Sequence, residues 1–411
     1  MKDTPLTFVQ FSDIHLGKSL VFPESVIQQI RQNFTTALDE LERLEPDFLL
    51  VSGDAVNTGL ADIDEYLGYI SRISIPVHHI PSSHDLALGP LPDGGIILND
   101  DPGFWEEKIG PARVSFTCKG VKFIFFEPFR KISEKKGLNI FDADIAAWLS
   151  GELGKISPQQ PLVIGYHIPV LASGETFSGW QNAEEFFSLL QGYNVVNISG
   201  HRHRNDETMI RNIRQIQTGS LAGFQWNGLP PHYMFPVRPG YRIFQFHQSS
   251  WYSFFKEIGV KNQIVLEKIN NIHTLGPRPQ VRPAILSSDA ELLAKVYSED
   301  AMPETVEYSL DNKNWNPLEK KNDFLWSEWS ARIPHGRFHE KFNVITIRAG
   351  FDNQLKIYDS VPVFVQPENE PTTAMQSGPE MLFELLTDAS ERVSDQPGNI
   401  HSFPWIQLPH E

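Results

Sequence analysis

The chain has 411 residues, room for two or three folded units at roughly 100–200 residues each. Its 35 basic residues against 51 acidic ones leave a net charge of −16, which repels a phosphate backbone and argues against non-specific nucleic-acid binding. The single cysteine, Cys118, excludes an intrachain disulfide and a thiolate metal cage, so any metal must sit on histidine and oxygen.

Met1 runs almost directly into the apolar stretch Leu6 to Phe11, with neither a basic leader nor a cleavage site. No run approaches the ~18 apolar residues of a membrane span, so a cytoplasmic location off the membrane is expected. Strands are predicted at Leu6 to Phe11, Phe48 to Ser52, Val77 to Ile80, Val121 to Phe126, Leu162 to His167 and Asn194 to Ser199, most too apolar to alternate. Ile27, Ile30, Phe34, Leu38, Leu41 and Leu44 recur at helical steps between the first two, and Asp144 to Ile156 reads the same way. This alternation is the rhythm of a layered α/β domain. Arg214 to Thr218, Tyr241 to His247, Trp251 to Lys256 and Gln263 to Lys268 read as antiparallel strands that close the first domain at residue 272.

The proline-rich 273–283 reads as a linker. Residues 284–366 carry an all-β pattern, with strands at Val306 to Leu310, Phe338 to Ala349 and Leu355 to Val365, and suggest an immunoglobulin-like sandwich. Trp315, Trp326 and Trp329 are expected to fill its core. The tail 367–411 holds eight acids against Arg392 alone, and its stripe of Leu382, Leu385, Leu386, Ala389 and Val393 predicts a short amphipathic helix. The expected role of that stripe is docking on this chain, with a protein partner for the sandwich or tail as the alternative.

Histidines and aspartates follow the predicted strands: Asp13 and His15, Asp54, His84 and Asp85, His167, then His201 and His203. In an α/β sheet, loops at the strand C-termini meet in one crevice, so these residues can converge. Imidazole nitrogen with carboxylate oxygen and no thiolate suits Zn, Mn or Fe(II), and a carboxylate such as Asp54 can bridge two ions. Each motif alone is weak; five in order, each at a strand end, are not. Arg202, between the two last histidines, could fork onto a phosphate. The loop aromatics Phe177, Trp180, Phe224, Trp226, His232 and Tyr233 are expected mainly to pack.

This series resembles the calcineurin-like metallophosphoesterase family, whose signature runs Asp-x-His, Gly-Asp, Gly-Asn-His-Asp/Glu, His, Gly-His-x-His. The resemblance covers about residues 5 to 260 and implies a four-layer α/β/β/α sandwich. It implies two divalent ions (Mn, Fe or Zn), one held by Asp13, His15 and His203, the other by His167 and His201, with Asp54 between them. His84 would protonate the leaving oxygen, with Asp85 orienting it. The expected activity is hydrolysis of a small phosphodiester or phosphomonoester by metal-bound hydroxide. The segment from Gly219 to Tyr241 is similar, more loosely, to cyclic-nucleotide phosphodiesterase-like members.

One position departs from the signature. Ser82-Ser83 stands where the family has Gly-Asn, so the amide oxygen of the second ion is replaced by the shorter Ser83 hydroxyl. The expectation is a weakened second site of low occupancy, with Ser83 or the Asn57 carbonyl as supplementary donor. The alternative is a weakly active or inactive phosphate-ligand binding or regulatory protein on the same fold.

Overall fold

A computed structural model describes residues 5–18, 23–91, 95–134, 136–170, 179–226, 234–236, 238–269, 272–273, 284–286, 288–339 and 341–365. The tail 367–411, all of the linker except His273, and Phe177, His232 and Tyr233 lie outside them. The chain divides into two compact units, residues 1–259 and 260–411.

The first unit runs β1 (Leu6–Phe11), α1 (Glu24–Leu44), β2 (Phe48–Val51), α2 (Gly59–Ile70), β3 (Val77–His79), α3 (Gly103–Lys108), β4 (Val114–Cys118) and β5 (Val121–Phe125). The short β6 (Phe129–Ser133) and β7 (Lys136–Ile140) precede α4 (Ala143–Leu153), β8 (Leu162–Gly165), β9 (Trp180–Gln181), α5 (Ala183–Leu189) and β10 (Val195–Ser199). It closes with β11 (Asp206–Ile210), β12 (Ile213–Gln217), β13 (Phe224–Trp226), β14 (Met234–Pro236), β15 (Gly240–His247) and β16 (Ser250–Glu257).

Two sheets carry the architecture, one ordered β16-β15-β1-β2-β3, the other β11-β12-β10-β8-β5-β4. Their facing sides are apolar and join through aromatic packing. Phe8 of β1 stacks between Phe48 and Phe244 at 4.9 and 4.6 Å and sets its ring edge-on to Phe123 of the other sheet at 5.5 Å. On the outer side of the first sheet, α1 turns Phe34 onto Phe11 at 6.3 Å. Ile145 and Leu149 of α4 and Phe186 of α5 cover Ile124, Ile164 and Tyr166 on the second. The result is the expected layering of helix, sheet, sheet, helix. β1, β2 and β3 run parallel, as do β5, β8, β10 and β12, so each sheet brings its strand C-termini to one edge. The strand at 213–217 therefore departs from expectation: it is antiparallel only to β11 and parallel to β10.

In the second unit the strand Asn262–Ile269 pairs antiparallel with Ala290–Ser298. It belongs to this unit, and the division falls before the expected boundary at 272 because backbone pairing, not proline spacing, sets it. Two five-stranded sheets, almost wholly antiparallel, enclose Leu266, Leu292, Val296, Trp329, Ile345 and Val363 as a β-sandwich core. Trp326 is also buried, whereas Trp315 stays half-buried with the Arg348 guanidinium 3.9 Å over its ring.

Candidate metal centre

The site is built where parallel strands end and the chain must turn at once. Asp13, His15, Asp54, His201 and His203 all take left-handed backbone, with φ of 54°, 50°, 50°, 71° and 52°. Such conformations cost on the order of 1–3 kcal/mol each unless neighbours fix them. The loops after β1 and β2 fix each other: Asp13 N–H donates to the Gly53 carbonyl at 3.1 Å and His15 N–H to the Asp54 carbonyl at 2.8 Å. Two glycines allow the close approach. A Cβ on Gly53, itself at φ 91°, would sit 2.4 Å from His167 Nδ1, and one on Gly200 would sit 1.8 Å from Ser12 Oγ.

All six residues expected to face metal meet there. Asp13, His15, Asp54 and His203 bring one donor atom each within 4.8 Å of the others, and Asp54, His167 and His201 form a second such group. His203 Nε2 lies 3.2 Å from Asp13 Oδ1 and 3.1 Å from His15 Nε2. Asp54 Oδ2 lies 3.4 Å from His15 Nε2 and 3.2 Å from His167 Nε2. Behind the cluster, the Nδ1 atoms of His167 and His203 face the carbonyls of Ser52, at 2.8 Å, and Phe224. Those contacts suit Nδ1–H, which aims the Nε2 lone pairs into the cluster.

Carboxylates and imidazoles in the site favour each other's charged forms: against burial, Asp54 holds His167 well above its ordinary value and Asp13 raises His203. Burial opposes the Asp13 carboxylate, but His203 and His167 outweigh it and hold it at about 2. Burial likewise opposes Asp54, yet His167, His84 and His15 hold it well below the carboxylate range. Burial pushes His15 down to about 3, which keeps it a neutral donor, whereas His201 is exposed. Asp13 Oδ1 and His167 Nε2 are buried without a well-formed hydrogen bond, the one facing His203 Nε2 and the other Asp54 Oδ2, each at 3.2 Å. Buried carboxylate oxygens and imidazole nitrogens that crowd together with poor hydrogen-bond geometry are a donor set that suits divalent Zn, Mn or Fe. The residues fit the ions.

Of the neighbouring positions, Asp85 and Asn57 depart from expectation. Asp85 does not orient the His84 ring; its carboxylate accepts from Ser82 N–H at 2.9 Å and Val56 N–H at 3.1 Å. The Asn57 main-chain carbonyl faces His84 Nδ1 at 2.8 Å instead, and the His84 ring stands edge-on to that of His15 at 5.1 Å. The Asn57 side chain turns away to the Lys18 carbonyl at 3.2 Å. Ser83 is half-buried, and Arg202 is half-buried between His201 and His203. Sequence reasoning missed Glu127, at the end of β5, whose Oε2 accepts from His167 N–H at 2.7 Å and whose carboxyl is raised to about 7, chiefly by burial. An acid directly after the apolar run Val121 to Phe126 was its only signal. Ser82 was also missed as a contact of Asp54.

The family model described as calcineurin-like phosphoesterase matches residues 6–205. This stretch is similar to that family and holds every residue of the two donor groups. The chain is similar in fold to a dimetal phosphatase from Danio rerio, at 14% identity over 59% of this chain and 96% of that one, TM-score 0.43. It is also similar to a phosphopantetheinyl hydrolase from Mycobacterium tuberculosis, at 16% identity over 53% and 90%, TM-score 0.31. A third likeness is to the anchor in the inner membrane complex of Plasmodium, at 15% identity over 62% and 85%, TM-score 0.38. No curated protein matches the chain. No helix among the described residues is long and apolar enough to cross a membrane.

Proposed function

We propose that the protein is a metal-dependent phosphoesterase that hydrolyses small phosphodiesters or phosphomonoesters at this centre. The observation that carries the reading is the convergence of two carboxylates and four imidazoles in two donor groups that share Asp54. Asp13, His15, Asp54 and His203 would hold one divalent ion, and Asp54, His167 and His201 a second with one donor fewer. Bound there, the ions supply neutralisation of phosphate charge and a water acidified toward neutral pH. His84, its Nδ1 engaged by the Asn57 carbonyl, delivers a proton from Nε2 to the leaving oxygen, since an alkoxide leaves poorly at neutral pH. Arg202 steadies the phosphate from between the two last histidines.

The three-donor second group, with serine at the usual asparagine position, supports the companion reading of a phosphate-binding protein with little turnover. Elemental analysis of the purified chain separates the two, run beside assays on bis-p-nitrophenyl phosphate and p-nitrophenyl phosphate with added Mn. Two metals per chain with turnover supports the enzyme. One metal or none, without turnover in excess Mn, sinks it.

A further inference from the structure

Each aspartate of the cluster has one oxygen facing the imidazoles and one facing away, and the outward oxygen is claimed by a serine. Asp13 Oδ2 accepts from Ser12 Oγ at 2.6 Å and from His201 N–H at 3.0 Å, leaving Oδ1 toward His203 and, at 4.0 Å, His167. Asp54 Oδ1 accepts from Ser82 Oγ, leaving Oδ2 toward His15 and His167. The Ser82 hydroxyl also accepts from Asp54 N–H at 3.1 Å and His84 N–H at 3.2 Å, and Ser82 is fully buried. One hydroxyl thus ties the carboxylate shared by the two donor groups to the loop that carries His84.

We infer that Ser82 is a positioning residue of the metal centre, its hydroxyl restricting Asp54 to the single donor oxygen Oδ2 that both groups share. The inference rests on the reading of the cluster as a metal site. An ionised carboxylate offers about four lone-pair directions over its two oxygens, so an unclamped Asp54 can turn and give both oxygens to one ion. With Oδ1 committed to Ser82, that rotation costs a charge-assisted hydrogen bond. Ser82 occupies the glycine position of the signature, where no side chain could do this, so the clamp belongs to this chain's own sequence.

The test is calorimetric titration of manganese alone into the full-length chain stripped of metal by a chelator, for the wild type, Ser82→Ala, Ser82→Gly and Ser82→Thr. Thermal melts of the metal-free forms establish which variants fold. Loss of the hydroxyl in Ser82→Ala or Ser82→Gly is expected to weaken manganese binding by about 10–100-fold, the usual effect of removing a partner behind a metal ligand. Ser82→Thr, which keeps the hydroxyl, is expected to bind within about threefold of wild type, a rescue that a packing role would not give. A folded Ser82→Ala or Ser82→Gly that binds as tightly as wild type overturns the clamp. A wild type that takes up no manganese overturns the metal centre itself, and the clamp with it.

Discussion

Both units bury charge inside a sheet sandwich, yet they do so in opposite ways. In the second unit Lys295 Nζ lies 3.4 Å from Glu267 and 3.7 Å from Glu328, with all three side chains almost wholly buried. Glu328 also accepts from Asn322 Nδ2 at 2.7 Å and Trp326 Nε1 at 3.3 Å. None of those atoms is among the buried ones of the described residues that lack a well-formed hydrogen bond, whereas Asp13 Oδ1 and His167 Nε2 of the first unit are. A buried charge is costly unless something answers it. In the second unit a lysine answers the acids and the cluster is architecture; in the first the acids face imidazoles, with hydrogen-bond geometry left unmade at two atoms, an arrangement that can take a cation. The fraction of polar atoms satisfied separates these two regions, while burial and charge do not.

That contrast can be broken by mutation. The largest expected effect is at His84, which stands edge-on to His15 without belonging to either donor group. His84→Ala is expected to lower kcat on bis-p-nitrophenyl phosphate by about 10²–10⁴-fold, the usual worth of a positioned proton donor, with manganese content unchanged. A parallel loss of metal would place His84 among the ligands instead. Next comes Lys295→Ala, which leaves two acids facing each other and is expected to cost about 3–5 kcal/mol in urea denaturation while sparing metal content. A loss below about 1 kcal/mol would show that water already answers Glu267 and Glu328.

The smallest effect belongs to a satisfied charge of the first unit. Lys155, then Ser115 and Lys122, hold the Glu152 carboxyl at about 2 against an ordinary 4.5. A depressed acid contributes stability that is complete above its unfolded value and fades as the folded group protonates. The contribution is therefore present above pH 4.5 and lost as pH falls toward about 2. Glu152→Gln lacks it, so the Tm curves of wild type and variant should converge across that window and run parallel above it.

Much of this was legible in the chain. Buried parallel strands advertise themselves as apolar runs, and 6–11, 48–51 and 121–125 fall where the runs lie. The order of Asp and His motifs named every member of the two donor groups, because strand ends of one sheet edge must converge. What stayed hidden was whatever depends on partners distant in sequence. Ala290–Ser298, reading Ala-Glu-Leu-Leu-Ala-Lys-Val-Tyr-Ser, has helix-forming composition and becomes a strand only because Asn262–Ile269 and Trp326–Ile333 flank it. α2 and α5 follow Thr58 and Asn182, residue types that favour helix starts, though neither side chain makes a cap bond. The roles of Ser82, Asn57 and Glu127 follow from backbone placement to within an ångström, which no spacing rule encodes.

The left-handed turns at Asp13, His15, Asp54, His201 and His203 constrain how this sequence can drift. Asn, Asp, His and Gly tolerate that backbone, whereas β-branched residues do not. If selection for the cations were relaxed, those five positions would be released from coordination chemistry but still held by conformation. Descendants without metal would keep short polar residues or glycine there long after the ions had gone, and the motif would outlast the reaction it once served.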